Sequence, residues 1–309
     1  ITLGGILVIT SVVAIVVLIV SVTFPLFQAA QTELRAAVAL PDGVEADDVL
    51  AVGVDLVELG ERAHEDSLTG YTLSREGTFT FFEFVEPAQS HGSGPSKPQD
   101  VRLAILGRHQ ASLPEAAEQR TLKSVARTTG SEYTMVWSDG SVSLVEAVLT
   151  PEFDDLGRRT ANYALRTRGH LAPSEGHRPI RAVMRADEDG ASTCAMLVEN
   201  NRIVVLRETV TAALFGEGKR ETQRTVIETG IPGTITALAL KRGGDVLYAG
   251  TDNGCLISWK LSGRATRGDV IPAFRDKRAI TSLTVVFGDV SVAVGDAQGN
   301  VTTFAPVRT

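Results

Sequence analysis

The residue types best suited to chemistry are few and poorly spaced for it. His64, His91, His109, His170 and His177 show no HxxxH or comparable spacing, and a metal site needs several ligands brought to one point. They read as surface histidines. Asp187-Glu188-Asp189-Gly190 has the acidity of a calcium loop but not its alternation or its distal glutamate, so it reads as a hairpin turn. The run His91-Gly92-Ser93-Gly94-Pro95-Ser96-Lys97-Pro98 joins glycine to lysine. A phosphate-cradling P-loop needs Gly-Lys-Ser/Thr opening a helix, and two prolines oppose that; the run reads as an inter-strand loop. No catalytic set, cofactor site or metal site emerges, and the chain is expected not to be an enzyme.

Two further features have chemical potential. Cys194 and Cys255 are the only cysteines, and both fall in apolar runs, so buried free thiols are expected rather than a disulfide. Arg158, Arg159, Arg166, Arg168, Arg178 and Arg181 are opposed only by Glu175 within residues 158–181. A solvated strand and loop explains such a run. The functional alternative is a patch for an anion or an acidic partner, such as lipid head groups.

Composition bounds what can position these residues. The chain has 309 residues and a net charge of -7, with 30 basic and 37 acidic side chains. An acidic balance argues against a nucleic-acid binder, which needs a basic face. Residues 1–32 hold no charge at all. The apolar stretch Leu3 to Phe27 has the length of a membrane-spanning helix, about 20 residues, and exceeds the 7–15 residues or so of a signal peptide's apolar core. In lipid a helix is the one single-segment solution, so its β-branched residues do not count against it. The expected division is 1–32 as transmembrane helix and exit, and 33–309 as a water-exposed domain. The chain starts inside the apolar run without Met, as a fragment would. The charged residues after the helix, Glu33, Arg35, Asp42, Glu45, Asp47 and Asp48, are mostly acidic, and this shortage of Lys and Arg leans the domain towards the extracytoplasmic side.

The domain reads as repeated β units. Ile235–Leu240 alternates, Arg242-Gly243-Gly244-Asp245 turns, Val246–Thr251 forms a second strand, Asp252-Asn253-Gly254 turns again, and Cys255–Leu261 forms a third. Asn-Gly between apolar runs is a strong hairpin signal. The same grammar returns 45 residues on, from Ile280 to Phe304. Looser copies centre on the turns Arg75-Glu76-Gly77, Ser138-Asp139-Gly140 and Glu188-Asp189-Gly190 with Asn200-Asn201. A β-sandwich also spaces its strands evenly. The recurrent strand and turn order, and a length large for one sandwich core, favour an all-β fold of WD40-like propeller type, with five traceable copies. The last copy lacks a fourth strand after Pro306, so the domain is expected to be incomplete at its C-terminus.

Helix and blade together resemble the large bacterial phosphate ABC-transporter permeases, which carry a WD40-like extracytoplasmic domain after their first transmembrane helix. The residues carrying the resemblance are Leu18-Ile19-Val20-Ser21-Val22-Thr23-Phe24-Pro25-Leu26-Phe27, and the blade from Ile235 through Asp252-Asn253-Gly254. The Trp-Asp signature of typical WD40 repeats is absent, Trp259 being followed by Lys260. The resemblance implies an inner-membrane anchor whose propeller docks partners: the lipid bilayer through the helix, transporter subunits, and a solute-binding protein. It places no phosphate-handling residue in this chain. The alternative is a free-standing, membrane-anchored propeller scaffold of the cell envelope.

Overall fold

The structure, a computed structural model, describes residues 11–15, 17–21, 38–41, 43–54, 68–85, 102–111, 120–153, 155, 159–172, 178–211, 219–231, 233–286 and 288–305. The chain divides into two compact units, one of Ile1–Val38 with Ala88–Val101, the other of Ala39–Pro87 with Arg102–Thr309. The loop at 91–98 lies outside the described residues.

In the first unit, residues 11–15 and 17–21 are helical. No helix of the described residues is long and apolar enough to cross a membrane. Each of these five-residue helical runs rises about 7.5 Å, roughly a quarter of a ~30 Å hydrocarbon core. The rest of the expected span, Leu3 to Phe27, lies outside the described residues. Ser21 donates to the Leu18 carbonyl at 2.8 Å, so its hydroxyl is satisfied within the helix.

The second unit is a five-bladed β-propeller, its antiparallel sheets following one another along the chain. The first sheet holds β1 (Val49–Val54), β2 (Leu68–Ser74), β3 (Thr78–Val85) and β4 (Arg102–Gln110). The second holds β5 (Leu122–Thr129), β6 (Glu132–Trp137), β7 (Val142–Phe153) and β8 (Arg159–Leu171). The third holds β9 (Arg181–Ala186), β10 (Ser192–Val198), β11 (Arg202–Thr211) and β12 (Lys219–Glu228). The fourth holds β13 (Ile235–Leu240), β14 (Val246–Thr251), β15 (Cys255–Lys260) and β16 (Thr266–Pro272). The fifth has three strands among the described residues, β17 (Ile280–Val285), β18 (Val292–Asp296) and β19 (Val301–Phe304).

One turn recurs in every sheet, and its chemistry explains why. Gly77, Gly140, Gly190, Gly254 and Gly299 all have φ between 77° and 90°, a left-handed backbone that costs glycine nothing. A short polar side chain then accepts the N–H that follows the glycine. Ser74 takes that of Thr78 at 3.2 Å, Asp139 that of Ser141 at 2.9 Å, and Asp187 that of Ala191 at 2.8 Å. Thr251 takes that of Cys255 and Asp296 that of Asn300, both at 2.9 Å. Such bonds mimic a backbone turn and fix the register of the hairpin. In the third sheet this turn joins β9 to β10, and Asn200 and Asn201, with φ of 59° and 58°, turn β10 into β11.

Sheets pack face to face because alternate residues serve opposite neighbours. Met135 and Trp137 join Tyr71, Leu73, Phe79 and Phe81 against the first sheet. Val136, between them, joins Met184, Cys194 and Met196 against the third. Ala195 and Leu197 face Leu240, Leu247 and Trp259 of the fourth, whose Leu256 and Phe274 meet Ile280 and Val294 of the fifth. Strands buried on both faces read as continuous apolar runs, as β10 does.

The β7–β8 hairpin outgrows its sheet. β6 pairs with β7 only as far as Glu146, while β7 and β8 continue paired to Phe153 and Arg159. Tyr163 in this extension stacks on Phe81 at 4.9 Å and donates to the Leu106 carbonyl at 2.7 Å. Gly107 makes room for it: a Cβ there would lie 2.5 Å from the Tyr163 hydroxyl.

Asp296 gives the fifth sheet an acid-sensitive joint. Burial by itself would raise its pKa, but bonds from Asn300 and Gln298 and the charge of Arg278 outweigh burial and hold it below the usual carboxylate range. Arg278 lies 2.6 Å from it. The folded pKa lies below the unfolded one, so this stabilisation is complete above about pH 4 and is lost as pH falls through the folded value. Urea denaturation across this window is expected to show falling stability in acid, with a shallower fall in Asp296→Asn. An unchanged slope in that variant would remove Asp296 as the cause.

Candidate functional site

The first strands of sheets two to five converge. β5, β9, β13 and β17 pack against one another and line a cavity of about 630 Å³. Its polar lining is chiefly hydroxyl: Ser124, Thr236, Ser282 and Thr284 among others. Two cations, Arg127 and Arg181, line it, and no carboxylate does so among the described residues. Thr236 bonds the carbonyls of Gly250 and Ile280, so part of this lining also ties sheet four to sheet five.

β1 takes no part in that cavity. It flanks β5 across a second cavity of about 330 Å³, lined by Leu50, Ala51, Arg75, Leu122, Lys123, Ser124, Val125, Arg127 and Tyr133. Three of these nine are cations and none is acidic. Arg127 lines both cavities. Its Nε donates to the Gly130 carbonyl at 2.7 Å, and its guanidinium lies 5.9 Å from the Tyr133 ring centre. The Nε of Arg75 donates to the backbone carbonyl of Asp47 at 2.9 Å. The Tyr133 hydroxyl meets that of Tyr71 at 3.0 Å. Burial, with the Tyr133 bond, pushes the Tyr71 hydroxyl well above its ordinary pKa, so Tyr71 brings no negative charge to Arg127.

The arginines singled out by composition are dispersed. Arg158 and the side chain of Arg159 lie outside the described residues. Arg166 and Arg168 sit on β8, the edge strand of sheet two farthest from β5. Arg168 is half-buried and ion-paired with Glu146 at 3.4 Å, whereas Arg166 is exposed. Arg178 is exposed ahead of β9, and Arg181 opens β9 on the wall of the central cavity. Arg181 lines the central cavity, whereas Arg166 lines neither cavity.

The remaining candidates have structural positions. Asp187–Gly190 is the β9–β10 turn, as its spacing implies. His109 lies on β4 with its ring edge-on to Phe81 and Tyr163, and His170 on β8 opposes Ser143. His64, His91 and His177 lie outside the described residues. Both cysteines are free. Cys194 is buried, which pushes its thiol up to about 12, and Cys255 is half-buried, less deep than its apolar run implies.

Arg75, Lys123 and Arg127 were not legible as a group in the sequence. They come from a turn and a strand of two different sheets, and no fixed spacing links them. The alternation of Lys123, Val125 and Arg127 along β5 places them on one face, but that alone does not reveal Arg75 across the cavity.

No family model matches the chain, and no curated protein matches it. Among solved structures, it is similar to the β-propeller domain of Myceliophteria thermophila Cps50 (Swd1), with a TM-score of 0.42 and 12% sequence identity. That similarity covers 77% of this chain and 66% of the other, just under two thirds of its length.

Proposed function

We propose that this chain is a membrane-tethered docking platform: a non-catalytic β-propeller held at the inner membrane with its blades on the extracytoplasmic side. The observation that carries the tether is the exposed apolar surface of the helical residues 11–15 and 17–21. Val12, Val13, Ile15, Val17, Leu18, Ile19 and Val20 each expose more than half of their surface. Among the described helical residues they are the large side chains, and Ser11 and Ser21 are the only polar ones, so no continuous polar face is offered to water. Exposed apolar surface on this scale calls for an apolar surrounding, and the apolar sequence continues on both sides of these residues.

The propeller supports the platform role. Its sheets are rigid layers, and the turns at their ends can vary without disturbing the cores between them. The resemblance to large phosphate-importer permeases supplies the finer reading: the platform serves such a permease, with transporter subunits and a solute-binding protein as partners. Propellers host many unrelated functions, so the helix and blade wording carries this reading rather than the fold.

Alkaline carbonate washing followed by detergent extraction tests the tether. The full chain is expected to stay with the membranes until detergent is added, and a reporter fused after Gly254 is expected to be active only as an exported enzyme. Recovery of the uncleaved chain in the carbonate wash, or an active cytoplasmic reporter, would overturn the proposal.

A further inference from the structure

We infer that the smaller cavity, between β1 and β5, is a binding site for a phosphate-type oxyanion. This goes beyond the docking reading and does not rest on it. The protein is acidic, with a net charge of -7, yet Arg75, Lys123 and Arg127 line this one cavity without a carboxylate. None of the three makes an ion pair among the described residues. Like charges gathered around one space repel, and an anion between them turns that repulsion into attraction.

The two guanidinium groups are already oriented. Each is held by its Nε on a backbone carbonyl, at 2.9 Å for Arg75 and 2.7 Å for Arg127. Their terminal nitrogens have no partner among the described residues, and such paired donors match the spacing of phosphate oxygens. Tyr133 backs the Arg127 guanidinium, and Ser124 adds a hydroxyl to the wall. About 330 Å³ sits at the small end of ligand sites, a size for a phosphate group with a modest substituent rather than for a folded partner.

Isothermal titration of the full chain in neutral detergent tests this, using inorganic phosphate, a sugar phosphate, and mixed micelles of the same detergent with phosphatidylcholine, with and without phosphatidylglycerol. At least one probe is expected to bind saturably, and Arg127→Gln and Arg75→Gln are each expected to weaken it about tenfold. Soluble phosphates binding while the phosphatidylglycerol micelles do not identifies a free ligand; the reverse identifies a lipid head group. Lys123→Gln covers the case in which Arg127→Gln disturbs Tyr133, because the Lys123 side chain makes no bond within the fold among the described residues. It should weaken binding with the melting temperature unchanged. Arg166→Gln, on the far edge of sheet two, should bind as the parent does. No binding of any probe, or an equal loss in Arg166→Gln and the cavity variants, would overturn the site.

Discussion

Replacing Arg185 by methionine is expected to destabilise the protein by about 3–5 kcal/mol, the usual cost of removing one partner from a buried ionic network. Arg185 sits on β9 and is 6% exposed. Its Nε donates to the Leu240 carbonyl of sheet four at 3.2 Å, and its terminal nitrogen donates to Thr129 of sheet two at 2.5 Å. Glu132 lies 3.8 Å away. Burial pulls the guanidinium pKa down, and the charges of Glu132 and Asp289 oppose that. One side chain thus joins three consecutive blades. Losing it strands a buried carbonyl and leaves Glu132 without its cation. Urea unfolding measures the effect, and Arg185→Met with Glu132→Gln is expected to be less destabilised than the single change. A single variant within about 1 kcal/mol of the parent would contradict this role.

Trp259→Ala is expected to cost a similar amount, about 3–5 kcal/mol. Trp259 lies on β15 at 2% exposure, in the core shared by sheets three and four with Leu197, Ile203, Leu240 and Leu247. Sheets on either side of a truncated indole relax only in part, so a cavity remains. Val301→Ala, at 71% exposure on β19, serves as the control and should change little. Equal melting temperatures for the two variants would mean that Trp259 does not hold the third and fourth sheets together.

The turns explain why so much of this fold was legible. Asp252-Asn253-Gly254 and Ala297-Gln298-Gly299-Asn300 announce themselves through glycine at a left-handed position and a polar side chain before it. Central strands were equally clear, since burial on both faces produces unbroken apolar runs such as β10. The outer strands were harder. β8 runs from Arg159 to Leu171, yet only Tyr163 to Arg166 stands out in sequence, because an edge strand mixes solvent-facing residues with the few that pack. β16 carries no apolar alternation, and every one of its residues is exposed. What places it is pairing with β15, which no local pattern encodes.

Charge was the least legible level. Arg166, Arg168, Arg178 and Arg181 are close in sequence, yet one is neutralised by Glu146, one faces the central cavity, and the others are exposed elsewhere. Arg75 and Arg127 are far apart in sequence and meet across one cavity. Blade packing decides which cations become neighbours, and that depends on contacts between sheets rather than on spacing within a strand.

The docking role is tested most directly by the affinity of the full chain, in neutral detergent, for the phosphate-loaded solute-binding protein of the same cell, measured by surface plasmon resonance. Saturable binding is expected at low ionic strength, with a faster association rate there than at about 1 M salt, where charges are screened beyond about 3 Å. No saturable binding at either salt would contradict the platform reading.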